Sequence, residues 1–541
     1  MSQNSSTFST MRAAVAQFHV GADIAANLAA CLRALDTAAK EQPHIVVLPE
    51  FCNHMSWYDD QDHCQRVSVE LDGPFLRAIA AKAADIHAYV AVNVTLNRSP
   101  NVTTGTSILF GPDGALLADN DKQILIGHEN DFLTKASVAG PMIASPYGLF
   151  GLYACMDGVI NETPRSLALR GGRVLLNSLN SFASDEASLH IPVRAAENKV
   201  FVLAANKVGP LVPEDMVEAI SQATGIPVRF LNGAGESQIV APDGTVLAMA
   251  PVDGEAVVFA QFDPAIADNK VRPDGTDVFK ARRPALYRPI ACDPATQTLP
   301  PFHGVDEVKA ALIHADTAEQ ALIFIGQAFE EGAKIIALAP MEGVNSDAIA
   351  PLCPNNGYVA LRESNGDAIL VNAAGVLLRQ APLHTTQRFG SARSDSFATC
   401  VTLYGRIALV AGDDGIFPEA FRLLAMTGAE IAIAPVSPLE NWELKTGLLE
   451  RAAENRINLL APASGPEMGF AAALQDDFTI LTPWKSRPFD GLLSHPILTR
   501  ARVSITHVNL FPSCAANKVV SRNTDLLAGR PWALADAIVA Q

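Results

Sequence analysis

Arg194-Ala-Ala-Glu-Asn198 and Arg451-Ala-Ala-Glu-Asn455 are the same pentapeptide, met twice in one chain. Thirty-nine residues ahead of each arginine stands a matching turn. The first is Ala154-Cys-Met-Asp-Gly158, the second Ala411-Gly-Asp-Asp-Gly415, with Cys155 and Gly412 at the same place. Two landmarks at one spacing identify the chain as two copies of one unit. A thiol kept by one copy and lost by the other reads as a nucleophile, because a packing role would be needed in both.

Working outward, Gly148-Leu-Phe-Gly-Leu-Tyr153 reads as the strand that enters Cys155. His44-Ile-Val-Val-Leu48 is a short unbroken apolar run, as in a strand buried on both faces. Apolar periodicity predicts helices over 24–40, 74–85 and 186–198, with strands over 12–18, 88–94 and 200–205 between them. A hairpin turns at Gly111-Pro-Asp-Gly114. Pro164 predicts a helix start with Thr163 as cap, ended by Gly171-Gly172. Alternating strands and helices of this kind give an α/β class. Proline-rich 291–305 reads as a linker between a first unit over 1–290 and a second over 306–541. The second copy repeats the first to its end: Asn517-Lys-Val519 with Thr524-Asp525 echoes Asn269-Lys-Val271 with Thr276-Asp277.

Composition limits the function classes. The chain has 541 residues, too many for a single core. Its net charge of −17 repels nucleic acid and anionic membrane, and no apolar run is long enough to span a bilayer. Residues 1–10 are rich in serine and threonine and read as a short lead-in, not a secretory signal. Eight cysteines without a CxxC pair form no disulfide framework, which fits a reducing, cytoplasmic setting. The histidines show no metal-ligand spacing. Gly233-Ala-Gly235 lacks the rest of a dinucleotide fingerprint and reads as a turn before a strand.

Glu50, Lys122 and Cys155 each stand where a strand ends, and in α/β sheets that is where sites collect. A thiol needs a base or a nearby cation to become a nucleophile, and a lysine can hold the oxyanion that follows attack on a carbonyl. Each residue alone has a plain structural reading: a small buried hydrophobe for Cys155, a cap for Glu50, a solvated cation for Lys122.

Six short motifs in order resemble the nitrilase superfamily of carbon–nitrogen hydrolases. They are Ile45-Val-Val-Leu-Pro-Glu50-Phe51, Lys122-Gln-Ile-Leu-Ile-Gly-His-Glu129, Cys155-Met-Asp-Gly-Val-Ile-Asn-Glu162-Thr-Pro-Arg165, the Arg194 pentapeptide, Gly235-Glu-Ser237 and Arg282-Arg-Pro-Ala-Leu-Tyr287. The resemblance implies an αββα sandwich and a Glu50–Lys122–Cys155 triad. In that triad Glu50 is the general base, and Lys122 holds the oxyanion with the backbone N–H of Met156. Glu129 would position substrate or Lys122. It implies a thioester route to a small-molecule amide with no metal or organic cofactor. Cys-x-Asp-Gly leans toward amidases and carbamoylases, with nitrile hydrolysis as the alternative and a non-catalytic scaffold as the reading from a different class. Asp157, Glu162 and Arg165 recur as Asp414, Glu419 and Arg422 in the copy without a thiol, which favours a structural role for them.

Aligned on its turns, the second copy sets Gly412 against Cys155, Leu383 against Lys122 and Pro340 against Glu50, with Glu342 two residues on as a partial substitute. The second unit is therefore expected to be non-catalytic. Family members pair face to face, so the fused tandem is expected to form that pair within one chain; further association of such pseudo-dimers into a homo-oligomer stays open. The segment 210–234 reads as an insertion, either over the pocket or on the surface. His54, Trp57, Tyr58 and Asn180 are further candidates for substrate contact.

Overall fold

A computed structural model describes residues 10–475, 489–494 and 496–541, so all but the last residue of the serine-rich lead-in lies outside them. In the first half, β1 (Met11–Gln17), β2 (Ile45–Val47) and β3 (Tyr89–Ser99) run parallel. The sheet is extended by antiparallel β4 (Val102–Phe110) and β5 (Leu116–Asp121) on one side and β12 (Ala256–Phe262) on the other. The second sheet is β11 (Val246–Met249), β10 (Gln238–Val240), β9 (Phe201–Ala205), β8 (Gly172–Ser178), β7 (Gly148–Ala154) and β6 (Ile143–Ser145). Its centre, β7-β8-β9, is parallel.

Both faces of each sheet are covered, which is why the central strands read as apolar runs and not as alternations. Ala13, Val15, Ile45 and Val47 of one sheet meet Leu152, Val174, Leu176, Phe201 and Leu203 of the other between the layers. Helices Ile24–Ala39 and Pro74–Ile86 cover the outside of the first sheet, and Glu162–Leu169 and Ile191–Asn198 cover the second. The result is a four-layer αββα sandwich. Two more six-stranded sheets, one running from Gly375–Gln380 to Ser504–Leu510 and one from Thr399–Thr402 to Ile497–Arg500, repeat it in the second half.

Two local expectations are corrected. The helix after Cys155 starts at Glu162, with Pro164 inside its first turn and no side-chain cap. A proline costs little there because first-turn N–H groups have no helical partner anyway, and the Thr163 hydroxyl donates to Gln123 Oε1 instead. The 186–198 helix opens with a π-turn at Glu186–His190 before the α-helix Ile191–Asn198. Residues 291–305 do not run free: the N–H groups of His303 and Gly304 donate to Glu430, and Arg530 donates to Cys292 O.

The repeated pentapeptides meet each other. Arg194 reaches Glu450 and Glu454 at 2.6 and 2.7 Å, while Arg451 reaches Glu197 at 2.6 Å. Arg165 pairs with Glu419 at 2.8 Å and Arg422 with Glu162 at 2.7 Å. All of these side chains are buried. Each helix therefore satisfies its mirror image, and the two halves form a pseudo-dimer about a local two-fold. The structural role expected for Glu162 and Arg165 is this pairing across the halves. Arg165 and Arg282 together outweigh burial and hold the Glu419 carboxyl well below its ordinary pKa.

Candidate active site

Cys155 follows β7 and precedes the short helix Met156–Val159. Its backbone is in the left-handed region, φ 48° and ψ −108°, which costs a non-glycine residue about 1–3 kcal/mol. Three anchors hold it there. The Cys155 N–H donates to Ser178 O at 3.0 Å and to Asn177 Oδ1 at 3.1 Å. The Asp157 carboxylate accepts from Ala154 N and also from Gln123 N and Ile124 N, at 3.3, 3.1 and 2.8 Å. Asp157 thereby ties the nucleophile turn to the residues that follow Lys122. Met156 N–H opens the short helix, where first-turn N–H groups have no helical partner.

Lys122 and Glu50 come from the ends of β5 and β2. Lys122 Nζ lies 2.8 Å from Glu50 Oε1 and 2.9 Å from Glu129 Oε2, with all three side chains buried. Glu129 also accepts from Ile126 N at 3.1 Å. Burial pushes Glu50 up to about 7 against the pull of Lys122. Burial alone would lower Lys122, but Glu129 and Glu50 outweigh it and hold the ammonium well above its ordinary value. Burial, and then Glu50, push the Cys155 thiol up. At rest this is a thiol beside a carboxylate poised near neutrality, and a fixed cation between two acids. Such a set can move a proton off sulfur and stabilise a developing oxyanion.

Two buried charges were not singled out in the sequence. Lys207 follows β9 and its Nζ has no hydrogen-bond partner among the described residues; burial lowers it to about 8. Its ammonium faces the Phe51 ring at 5.9 Å, and Lys122 faces the same ring at 5.6 Å. Glu186 opens the π-turn that packs against the short helix behind Cys155. Setting the two copies side by side was the available signal: Ser464 stands where Lys207 does, and the partner that meets Glu443 in the second half is lost from Glu186 in the first. Of the further candidates, His54 and Tyr58 are buried with their polar atoms bonded to Met55 O and Thr95 Oγ1. Trp57 packs in an aromatic cluster with Phe182, Phe230 and Phe489. Asn180 Oδ1 is buried without a hydrogen-bond partner among the described residues. Segment 210–234 contains the helix Val217–Thr224 and joins that cluster through Val212, Ile226 and Leu231.

The second half reaches into this site. Thr524 Oγ1 accepts from Gly127 N at 3.1 Å and donates to Leu125 O, while Arg522 pairs with Asp131. Leu493, Val520 and Leu526 pack on Ile124 and Met156. Leu493 N and Ser494 N donate to Asp185.

The equivalent place in the second half lacks the glutamate, lysine and cysteine of the first. Asp414 accepts from Leu383 N and His384 N as Asp157 does from Gln123 N and Ile124 N. The residue opposite Lys122 is therefore Pro382, not Leu383: one residue fewer separates Gly375 from this point than separates Gly114 from Lys122. Strand register confirms Pro340 opposite Glu50. Glu342 is exposed and substitutes for nothing. A Cβ on Gly412 would meet Pro382 at 3.0 Å and Phe389 at 3.3 Å.

Residues 12–269 match the carbon-nitrogen hydrolase family model. The chain is 25% identical over 262 residues to a nitrilase of Pyrococcus abyssi, covering 48% of this chain and 92% of that protein. It is 24% identical over 288 residues to an N-carbamoylputrescine amidase of Arabidopsis thaliana, covering 50% and 92%. Among solved structures, an amidase from Nesterenkonia sp. superposes with a TM-score of 0.42 at 22% identity, over 52% of this chain and 95% of that one. Residues 12–269 form a carbon–nitrogen hydrolase domain of the nitrilase superfamily, and the second half repeats its four-layer sandwich in tandem.

Proposed function

We propose that the chain hydrolyses a small amide or carbamoyl compound at one site, through a thioester on Cys155. The observation that carries this reading is the buried contact of Glu50 with Lys122 at 2.8 Å beside a thiol on a strained turn. Glu50 takes the thiol proton as sulfur attacks the carbonyl carbon. Lys122 and the Met156 N–H hold the oxyanion. The C–N bond breaks, the proton passes to the departing amine or ammonia, and water activated by Glu50 cleaves the thioester. Glu129 keeps Lys122 charged and in place through its two contacts at 2.9 and 3.0 Å. Relatives are named both for amidase and for nitrilase activity, and the preference for an amide over a nitrile rests on the Cys155-Met-Asp-Gly158 turn.

Ammonia release from a panel of amides, carbamoyl compounds and nitriles tests the reading. Turnover of an amide or carbamoyl compound that disappears in Cys155→Ala is the expected result. Turnover of nitriles alone replaces the bond class, and turnover untouched by the substitution overturns the mechanism.

A further inference from the structure

The two halves differ at one buried carboxylate in a way the triad does not explain. In the second half Glu443 receives Arg272, a residue from the tail of the first half, at 2.7 Å and 3.0 Å. It also accepts from Leu439 N at 3.0 Å. Arg272 sits within 3.4 Å of Asp413 as well, next to Gly412 at the empty nucleophile position. The tail of the second half makes the reciprocal crossing at Thr524, and each tail is anchored within its own half by a lysine. Lys270 Nζ donates to Asn198 O and Lys199 O, and Lys518 Nζ to Asn455 O and Arg456 O. Gln387 N donates to Thr276 as Gly127 N does to Thr524. Counted from these anchors, the residue opposite Arg272 is Val520, and the residue opposite Glu443 is Glu186.

Glu186 is 4% exposed, and its carboxylate has neither a hydrogen bond nor an ion pair among the described residues, while its backbone N–H donates to Ala183 O and its C=O accepts from Ile191 N. Val520 packs on Met156 and offers it nothing polar. The neighbouring network is already rich in acid: Asp185, Glu197, Glu450 and Glu454 surround His190, Arg194 and Arg451. A buried carboxylate without a partner is costly unless something brings the missing charge. We propose that Glu186 is the substrate subsite for a cationic end, so that the chain acts on an amide or carbamoyl compound carrying an ammonium or guanidinium group. The second half holds its own guanidinium, Arg272, at the position that substrate fills in the first. This rests on the hydrolase reading for the bond that is cut, but not for the binding itself. Burial pushes Glu186 up to about 7 despite His190, as expected of an acid awaiting a counter-charge.

The test is calorimetric binding to the full-length Cys155→Ala chain, which needs no turnover. 5-Aminopentanamide and a guanidinium-ended amide of similar length are compared with hexanamide. The cationic amides are expected to bind at least tenfold more tightly. Adding Glu186→Gln is expected to bring the ratio of affinities near one. Val520→Arg, which rebuilds the second half's arrangement, is expected to remove the same preference by seating an arginine on Glu186. It keeps the proposal testable if Glu186→Gln fails to fold. Equal affinity in Cys155→Ala, or a preference that survives either second substitution, overturns the proposal. Failure of the wild type to release ammonia from any amide would instead count against the hydrolase reading, whatever the binding shows.

Discussion

The turn at Cys155 and the turn at Gly412 have nearly the same backbone and opposite contents. Their φ angles are 48° and 54°, and each is pinned by an aspartate to the two N–H groups of a facing loop. Around one stand Glu50, Lys122, Glu129 and Lys207; around the other Pro340, Pro382, Phe389 and Ser464. The hydrogen bonds that shape the turn persist where Glu50, Lys122 and Cys155 have no counterpart, so the turn does not depend on the triad for its shape. On the proposed reading the reaction belongs to the first half, and the second half serves it as wall and partner.

The sharpest way to break that comparison is to move the thiol. Cys155→Ala is expected to lower kcat by about four orders of magnitude or more, and Gly412→Cys added to it is expected to restore nothing. A side chain at Gly412 meets Pro382 and Phe389, and Pro340 and Pro382 stand where Glu50 and Lys122 do in the first half. Ammonia release from both variants checks this. Recovery of activity in the double variant would show that the second half still holds a working site.

Next in size are the cross-half ion pairs. Arg165→Ala should cost about 3–5 kcal/mol of stability, because it leaves Glu419 buried with Arg282 as its one remaining cation among the described residues. Glu162→Ala should cost a similar amount by stranding Arg422. Denaturant unfolding of the full chain, with activity followed alongside, measures both. Losses under 1 kcal/mol would mean that the two halves do not stabilise each other through these contacts.

The pH profile separates the halves more finely. With Glu50 raised to about 7, kcat/KM for a neutral amide should fall about tenfold per pH unit as pH drops below 7, since the base is protonated there. Above that value it should flatten. A flat profile from pH 5 to 8 would remove Glu50 as the base. The smallest effect is expected at Thr524, whose hydroxyl ties the 125–127 loop of the first half. Thr524→Val should cost about 1 kcal/mol, seen as a few-fold lower kcat/KM.

Much of this was legible in the sequence. The Arg194 and Arg451 pentapeptides carried the duplication, the resemblance of six motifs to the nitrilase superfamily carried the αββα sandwich, and the same motifs named Glu50, Lys122 and Cys155 as candidates, of which Glu50 and Lys122 meet in the fold. What the sequence could not show was the side chains that meet only across the halves. Arg272 with Glu443, and Thr524 with Gly127, are joined by the pairing of two sandwiches and by no local pattern. Lys207 was missed because a lysine after a strand is usually solvated; only the packing of β9 beneath the Cys155 loop buries it. Lys122 was set against Leu383 because a one-residue difference in the preceding hairpin leaves no trace in composition.

The most direct measurement of the central claim is the intact mass of the wild-type chain mixed with a hydrolysed amide and quenched in acid. The account predicts one acyl group per chain, located on Cys155 and absent from Cys155→Ala. Steady turnover of an amide with no acyl group on the acid-quenched chain, or an adduct that survives Cys155→Ala, would contradict it.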